Sequence, residues 1–319
     1  MTEFVKQKFP DSKILEFVDD GINQTCYFAS GDESSDRSKY VGKRFTANLI
    51  DTNDYLAVSK VTKEYVEDRD HLKIPRITDF GIFEGDAYLI YEYVEGDQLN
   101  FTDVYENGEL EYYIEFVGEM LAELHNQGSP VDNFGWFTVD NGSICLKNGY
   151  PDSLGLSLSQ INYSFENISE STVSSDVRDD IRSVFRENID FNSNPSVCHC
   201  DVKYNNLIHS DDSTHLIDWE FIRSADPLYD LVKTERQLIG RFSQNERIDE
   251  VEYDDYKQML HSSYFKTSNN SFNEDRYRCY WIKEMIECLS SCENWYSKDV
   301  IPDVKSYYLG NMERFMSQL

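Results

Sequence analysis

Up to residue 94 the apolar positions of the chain fall in short alternating runs separated by turn residues; beyond it they recur at helical spacing. "KILEFVDDG" (13–21) and "QTCYFASGDESSDRSKYVGKRF" (24–45) supply the first runs. A Gly-Asp/Ser turn splits the second, so a three-stranded antiparallel meander is predicted. "YLAVSKVTKEYVEDRDHL" (55–72) has a helical texture and stops short of Pro75. "ITDFGIF" (77–83) and "AYLIYEYV" (87–94) flank Gly85 and Asp86, which reads as a hairpin. The expectation for 1–94 is a five-stranded antiparallel sheet with one helix.

After "EGDQLN" (95–100) the period lengthens. Leu110, Tyr113, Ile114, Val117, Leu121 and Leu124 share one helical face, and Gly128 ends that run. Further helices are predicted over 176–188, 227–241, 252–263 and 276–296, while the Ser/Asn/Asp-rich stretches 151–175 and 266–275 read as loops. The fold class is therefore α+β, in two lobes: 1–94, and a mainly helical 95–319.

Charge narrows the functions. The 59 acidic and 30 basic residues give a net charge of −29, spread along the chain and not gathered in a tail. A field of that sign repels nucleic acid and anionic membranes, so neither is an expected partner. A solvated acidic surface explains the surplus, with steering of cations to an acidic cleft as the alternative. No apolar run approaches the ~20 residues of a membrane span, and "MTEFVKQKFP" lacks the apolar core of a secretory signal. Seven cysteines without disulfide-like spacing fit a reducing compartment, so a cytoplasmic location is expected.

The chemistry gathers in "CHCDVKYNN" (198–206) and "LIHSDDSTHLIDWEF" (207–221). Phosphoryl transfer from Mg-ATP needs an acceptor for the attacking hydroxyl's proton, oxygen ligands for Mg2+ and a cation near the moving phosphoryl group. Asp201 suits the first role, Asn206 and Asp218 the second, and Lys203 the third. Adjacent strand residues point to opposite faces, so Cys198, His199 and Cys200 cannot chelate zinc together.

His-x-Asp-x-x-x-x-Asn followed by an apolar-Asp-Trp-Glu strand resembles the catalytic and metal-binding loops of the protein-kinase-like fold. "IDWE" with "DPLYDL" (226–231), "LAELH" (121–125) and "YLIYEYVEGDQL" (88–99) resemble the aminoglycoside phosphotransferase and choline kinase branch, which phosphorylates small molecules. The likeness spans both lobes. It departs at Cys200, where the branch commonly has Gly, and at "KYN", where it often has His-Pro-Gly. Asp218 stands only eight residues before "DPLYDL", which leaves no room for a protein-kinase activation loop.

The resemblance implies a nucleotide site as well. Lys43 should pair with the α/β-phosphates, with Val41 on the same strand face toward adenine; Arg44 replaces Lys43 if the register slips by one. Glu64 should partner the lysine, with Glu67 as alternative, and the backbone of Glu92 and Val94 should bond adenine. "DDGINQTCYF" (19–28) stands where a phosphate-covering loop belongs, although it holds a single glycine. His199 and Asp230 read as scaffold, and Glu220 either as an acid near Mg2+ or as an exposed strand-end charge. In the helical tail Tyr280, Trp281 and Trp295 read as core or as an aromatic box, and Glu284, Glu287 and Glu293 as acids suiting an amine-bearing alcohol. Two functions stand open: an ATP-dependent kinase acting on a small hydroxyl acceptor, or a catalytically silent nucleotide-binding or scaffold protein of the same fold.

Overall fold

The computed structural model describes residues 1–19, 23–30, 38–45, 51–187, 189–210, 213–240, 247–295 and 301–319. Its first sheet comprises β1 (Lys13–Asp19), β2 (Asn23–Ser30), β3 (Ser38–Phe45), β4 (Ile77–Phe83) and β5 (Asp86–Glu92), all antiparallel, in the order β1-β2-β3-β5-β4. A short helix absent from the expectation, α1 (Thr2–Lys8), covers one face. Its Phe4 ring centroid lies 4.4 Å from that of Tyr88, and Phe4 and Val5 join Phe28 and Ile90 in a small core. Burying one such ring is worth on the order of 1.5–3 kcal/mol.

The opposite face carries α2 (Thr52–Tyr65), capped by Asp51, whose side chain accepts from the Asn53 N–H. The helix stops seven residues earlier than 55–72 requires, and side chains explain why. Asp68 accepts the Ile74 N–H, and Glu123 accepts those of His71 and Leu72, so a turn with side-chain acceptors replaces the helical ladder.

After Glu92 the next strand, β6 (Asp97–Gln98), pairs with a different sheet. There follow α3 (Phe101–Glu106) and α4 (Leu110–His125), whose six expected face residues are all buried. A hairpin not foreseen in the sequence, β7 (Phe134–Asp140) and β8 (Ser143–Tyr150), reaches back to α2 through a 2.9 Å Lys147–Asp54 ion pair. Part of the presumed loop 151–175 is helical: α5 (Ser153–Glu166) is capped by Asp152 and buries Leu156, Ile161 and Phe165. Then come α6 (Ser175–Arg186), β9 (Ser196–Cys198), β10 (Leu207–His209), β11 (Thr214–Leu216) and β12 (Arg223–Ala225).

The span 227–241 is not one regular helix. It comprises α7 (Pro227–Glu235), continued by a π-helical turn over Arg236–Gly240. The chain ends in α8 (Glu250–Thr267), α9 (Glu274–Trp295) and α10 (Ile301–Met316), the last without a sequence expectation. Among the described residues no helix is long and apolar enough to cross a membrane.

Candidate active site

β9 delivers the chain into a loop held from beneath by Asp230 of α7. This fully buried carboxylate accepts the backbone N–H groups of His199 (2.7 Å) and Cys200 (2.9 Å), and it faces Nε2 of His125 at 3.1 Å. Burial alone would raise the Asp230 pKa; the His125 hydrogen bond and charge, with further help from His199 and the Cys200 amide, bring it below the ordinary value. Cys200 sits at φ +62°, the left-handed conformation that glycine adopts without cost, which accounts for the glycine common at this position in the resembling branch. His125, Cys198 and Asp230 lie close enough to ligate a metal, yet their atoms are engaged: His125 Nδ1 faces Tyr264 Oη at 2.9 Å, and Cys198 Sγ meets the Ala225 carbonyl at 3.6 Å.

His199 is scaffold in geometry. Its Nδ1 accepts from the Asp201 N–H at 3.2 Å and its Nε2 faces the Ile217 carbonyl at 3.1 Å, a pairing that fits the neutral ring. Burial keeps it neutral by pushing its pKa down. That second contact ties the loop to the segment carrying Asp218. Asp218 is not on a strand: β11 ends at Leu216, and Asp218 at φ +67° opens a 3₁₀ turn.

On the loop, Asp201 receives donors at both carboxylate oxygens. Lys203 Nζ (2.7 Å) and Asn206 Nδ2 (3.0 Å) reach Oδ2, while Gln237 Nε2 (3.0 Å) reaches Oδ1. Asn206 also donates to the Asp201 carbonyl at 2.8 Å, so its nitrogen is spent and its oxygen is turned elsewhere. Gln237 escaped the sequence reading. The available signal was its place seven residues after Asp230, two turns along the same helical face.

β3 brings Lys43 to this region. Its Nζ lies 2.8 Å from Asp218 Oδ1 and 3.4 Å from Glu220 Oε1. Burial opposes a charged lysine, but Tyr91, Asp218 and Glu220 outweigh it and raise the pKa. Reciprocally, burial would raise Asp218, and Lys43 holds it below the usual carboxylate value, with His199 and Lys203 contributing. Val41 shares the Lys43 face of β3, whereas Arg44 points to the other face and binds Asp86 at 2.9 Å.

Glu64 is not brought to Lys43. The α2 residues that line the cleft are Val58 and Thr62; Glu64, two positions on, is turned about 200° around the helix and is exposed. Glu67 lies past the helix end and pairs with Arg69 at 2.7 Å. Glu220 therefore stands as the lysine's second carboxylate. The cleft, walled by Lys43, Phe45, Leu89, Tyr91, Asp218 and Trp219 among others, also receives the Thr62 hydroxyl, which is buried without a hydrogen-bond partner.

At the C-terminal end of β5 the Glu92 N–H is taken by the Arg76 carbonyl and the Tyr93 N–H by that of Lys39, both at 3.0 Å. Among the described residues no acceptor takes the Val94 N–H. Of the phosphate-loop stretch 19–28, residues 20–22 lie outside the described residues. Buried Glu284 and half-buried Glu287 are partners of cations: Glu284 binds Arg236 at 2.6 Å and Lys233 at 3.3 Å, and Glu287 binds Lys283 at 2.7 Å and Lys233 at 3.4 Å. The side chains of Glu293 and Trp295 lie outside the described residues. Tyr280 and Trp281 are buried, with Tyr280 Oη donating to Asp226 at 2.8 Å.

The arrangement is a two-lobed kinase-like fold in which Lys43, Asp218 and Glu220 line one cleft, and His199 ties the loop of Asp201 and Asn206 to the segment that carries Asp218. The model of the phosphotransferase enzyme family matches residues 14–259, and the chain belongs to that family. Solved structures of the same fold include the aminoglycoside phosphotransferase APH(4)-Ia, at 16% identity and TM-score 0.67 over 99% of this chain and 97% of that one. The Plasmodium vivax ethanolamine kinase is 15% identical with TM-score 0.61 over 100% and 86%, and the Cryptosporidium parvum choline kinase 13% with TM-score 0.63 over 100% and 97%. No curated protein matches the sequence.

Proposed function

We propose that the protein transfers the γ-phosphate of Mg-ATP to a hydroxyl group of a small molecule, with 1–94 as the nucleotide-binding lobe and 95–319 as the lobe carrying the catalytic loop and acceptor site. The acceptor oxygen bonds to the γ-phosphorus as the bond to the bridging oxygen breaks; ADP leaves and the hydroxyl proton passes to Asp201. Asp201 orients that hydroxyl, and Lys203 offsets charge on the transferring group. Lys43 holds the nucleotide phosphates once released from Asp218. Val41 lies against adenine, whose edge meets the Glu92 carbonyl and the Val94 N–H.

Asn206 and Asp218 would hold the metal ion. The donors fit: an amide oxygen whose own nitrogen is already spent and a carboxylate kept ionised by Lys43 suit a hard cation. Bound there, Mg2+ supplies charge neutralisation at the phosphates. In keeping with this reading, a relative of this fold, a thermostable APH(4)-Ia mutant, forms a ternary complex with ADP and hygromycin B.

One observation carries the reading. Two neighbouring segments each present an acid already gripped by partners from elsewhere in the chain: Asp201 by Gln237 as well as Lys203 and Asn206, and Asp218 by Lys43. The test is Mg-ATP-dependent ADP release with pooled hydroxyl compounds, using Asp201→Asn as the blank. Release stimulated by one pool and lost by orders of magnitude in the variant supports the kinase. Undiminished release by the variant removes the role given to Asp201, and nucleotide binding without any stimulation favours a silent member of the fold.

A further inference from the structure

Arg223 is 4% exposed, yet its guanidinium is almost unanswered. Its one hydrogen bond runs from Nε to the Phe221 carbonyl at 3.4 Å. Neither terminal nitrogen has an acceptor among the described residues, and neither is among the atoms sealed from solvent. The group lies over an aromatic face, with its carbon 3.8 Å from the Trp136 ring centroid and 5.9 Å from that of Tyr229. Terminal N–H groups that no protein acceptor takes are free for a ligand, and an arginine stacked on an aromatic ring is preorganised for a two-pronged anion.

The surroundings add positive charge. Lys233, Arg236 and Lys283 stand in the same cluster; among the described residues Glu284 and Glu287 pair with those three side chains, and Glu287 also lies within charge range of Arg223. Asp230, the further carboxylate in range, is committed to His125 and two loop amides. Lys283 is forced so deep, 3.3 Å from the Tyr229 ring centroid, that burial lowers its pKa to about 8. In a chain of net charge −29 this concentration of buried cations is the exception.

The cluster adjoins the catalytic loop. Arg223 pairs in register with Cys198 of β9, three residues before Asp201. Burial raises the Cys200 thiol pKa to about 12 against the pull of Arg223, Lys233 and Lys283, so the side chain preceding Asp201 looks into the cationic group. Lys233 occupies the α7 face between Asp230 and Gln237.

We propose that Arg223, flanked by Lys233, receives an anionic group carried by the phosphoryl acceptor, a carboxylate or a phosphate, so that the substrates are hydroxylated anions and not amino alcohols. This rests on Asp201 orienting the acceptor hydroxyl. The transfer keeps the bond changes given above, and only the handle that positions the acceptor is new.

Calorimetric titration of the full-length protein with glycerate and with glycerol phosphate, against choline chloride as cationic control, tests the binding directly. Saturable binding of either anion, weakened about thirtyfold or more in Arg223→Met and also weakened in Lys233→Met, is expected. Glycerate binding assigns a carboxylate and glycerol phosphate binding a phosphate. Lys233 is half-buried, so its variant reports on the site even if Arg223→Met fails to fold. In the ADP-release assay the same variants should raise the KM of an anionic acceptor while leaving the KM of ATP within about twofold. Choline binding with no anion binding, or anion binding indifferent to both substitutions, overturns the inference. Anion binding without turnover would sink the kinase reading and leave the anion site standing.

Discussion

Gln237 and Asp201 are joined by a 3.0 Å hydrogen bond that leaves no oxygen of the Asp201 carboxylate unheld. A hydrogen bond to a charged group contributes ~1.5–3 kcal/mol, so losing it from the transition state costs about tenfold or more in rate. Gln237→Leu is expected to lower kcat by that amount with the KM of ATP unchanged. Gln237→Glu, which keeps the volume but sets a second carboxylate against Asp201, should be slower still. Unchanged turnover in both variants would show that Gln237 only fills space.

Lys43 binds acids from the loop after β11 instead of an acid from α2. Steady-state kinetics should therefore separate two glutamates: Glu220→Gln is expected to reduce kcat/KM for ATP about tenfold, and Glu64→Gln to leave it within about twofold. The reverse ranking would mean that α2 rotates when nucleotide binds.

His199 supplies a pH dependence. Its folded pKa lies below the ordinary 6.5 because burial disfavours the charged ring. Below that pH the unfolded chain takes up a proton that the folded protein refuses, so the stabilising contribution is complete above about pH 6.5 and is lost as pH falls toward the folded pKa. Denaturation at stepped pH should show up to about 1.4 kcal/mol per unit from this group, above the range in which carboxylates titrate. His199→Gln should flatten that segment of the curve. An identical slope in the variant would assign the effect to another group.

Cys200 holds a left-handed φ of +62° while packed in the interior. Relief of ~1–2 kcal/mol of backbone cost in Cys200→Gly is expected to offset the lost packing, leaving the melting temperature near wild type and activity within a few fold. Cys200→Val, β-branched and unsuited to this φ, should lose both stability and turnover. A melting temperature for Val equal to wild type would show that the loop relaxes freely.

Much of this was readable in the sequence because the decisive signals are local. Asp201, Asn206 and Asp218 lie within eighteen residues, and alternation fixed the strands on either side of Gly85. What escaped depends on partners far along the chain. α1 exists because Phe4 finds Tyr88, and α5 because Leu156, Ile161 and Phe165 find a core that outweighs its serines. Glu64 was the lysine partner that the family resemblance implied, but the inward face of α2 is set by Val58 and Thr62. Arg223 carried no sequence signal: a single basic residue after "IDWEF" becomes conspicuous only when its guanidinium is found buried and, among the described residues, outside any ion pair.

Helix α7 and its π-helical continuation set Asp230 under the loop and Gln237 against Asp201, with Lys233 between them on one face. Natural selection or a protein engineer seeking a different acceptor by altering Lys233 must work on the same rod that holds Asp201. New substrates reached by that route should come with altered turnover as well as altered affinity. The β3 lysine and the sheet behind it lie off this rod, so nucleotide preference is the trait more open to independent drift.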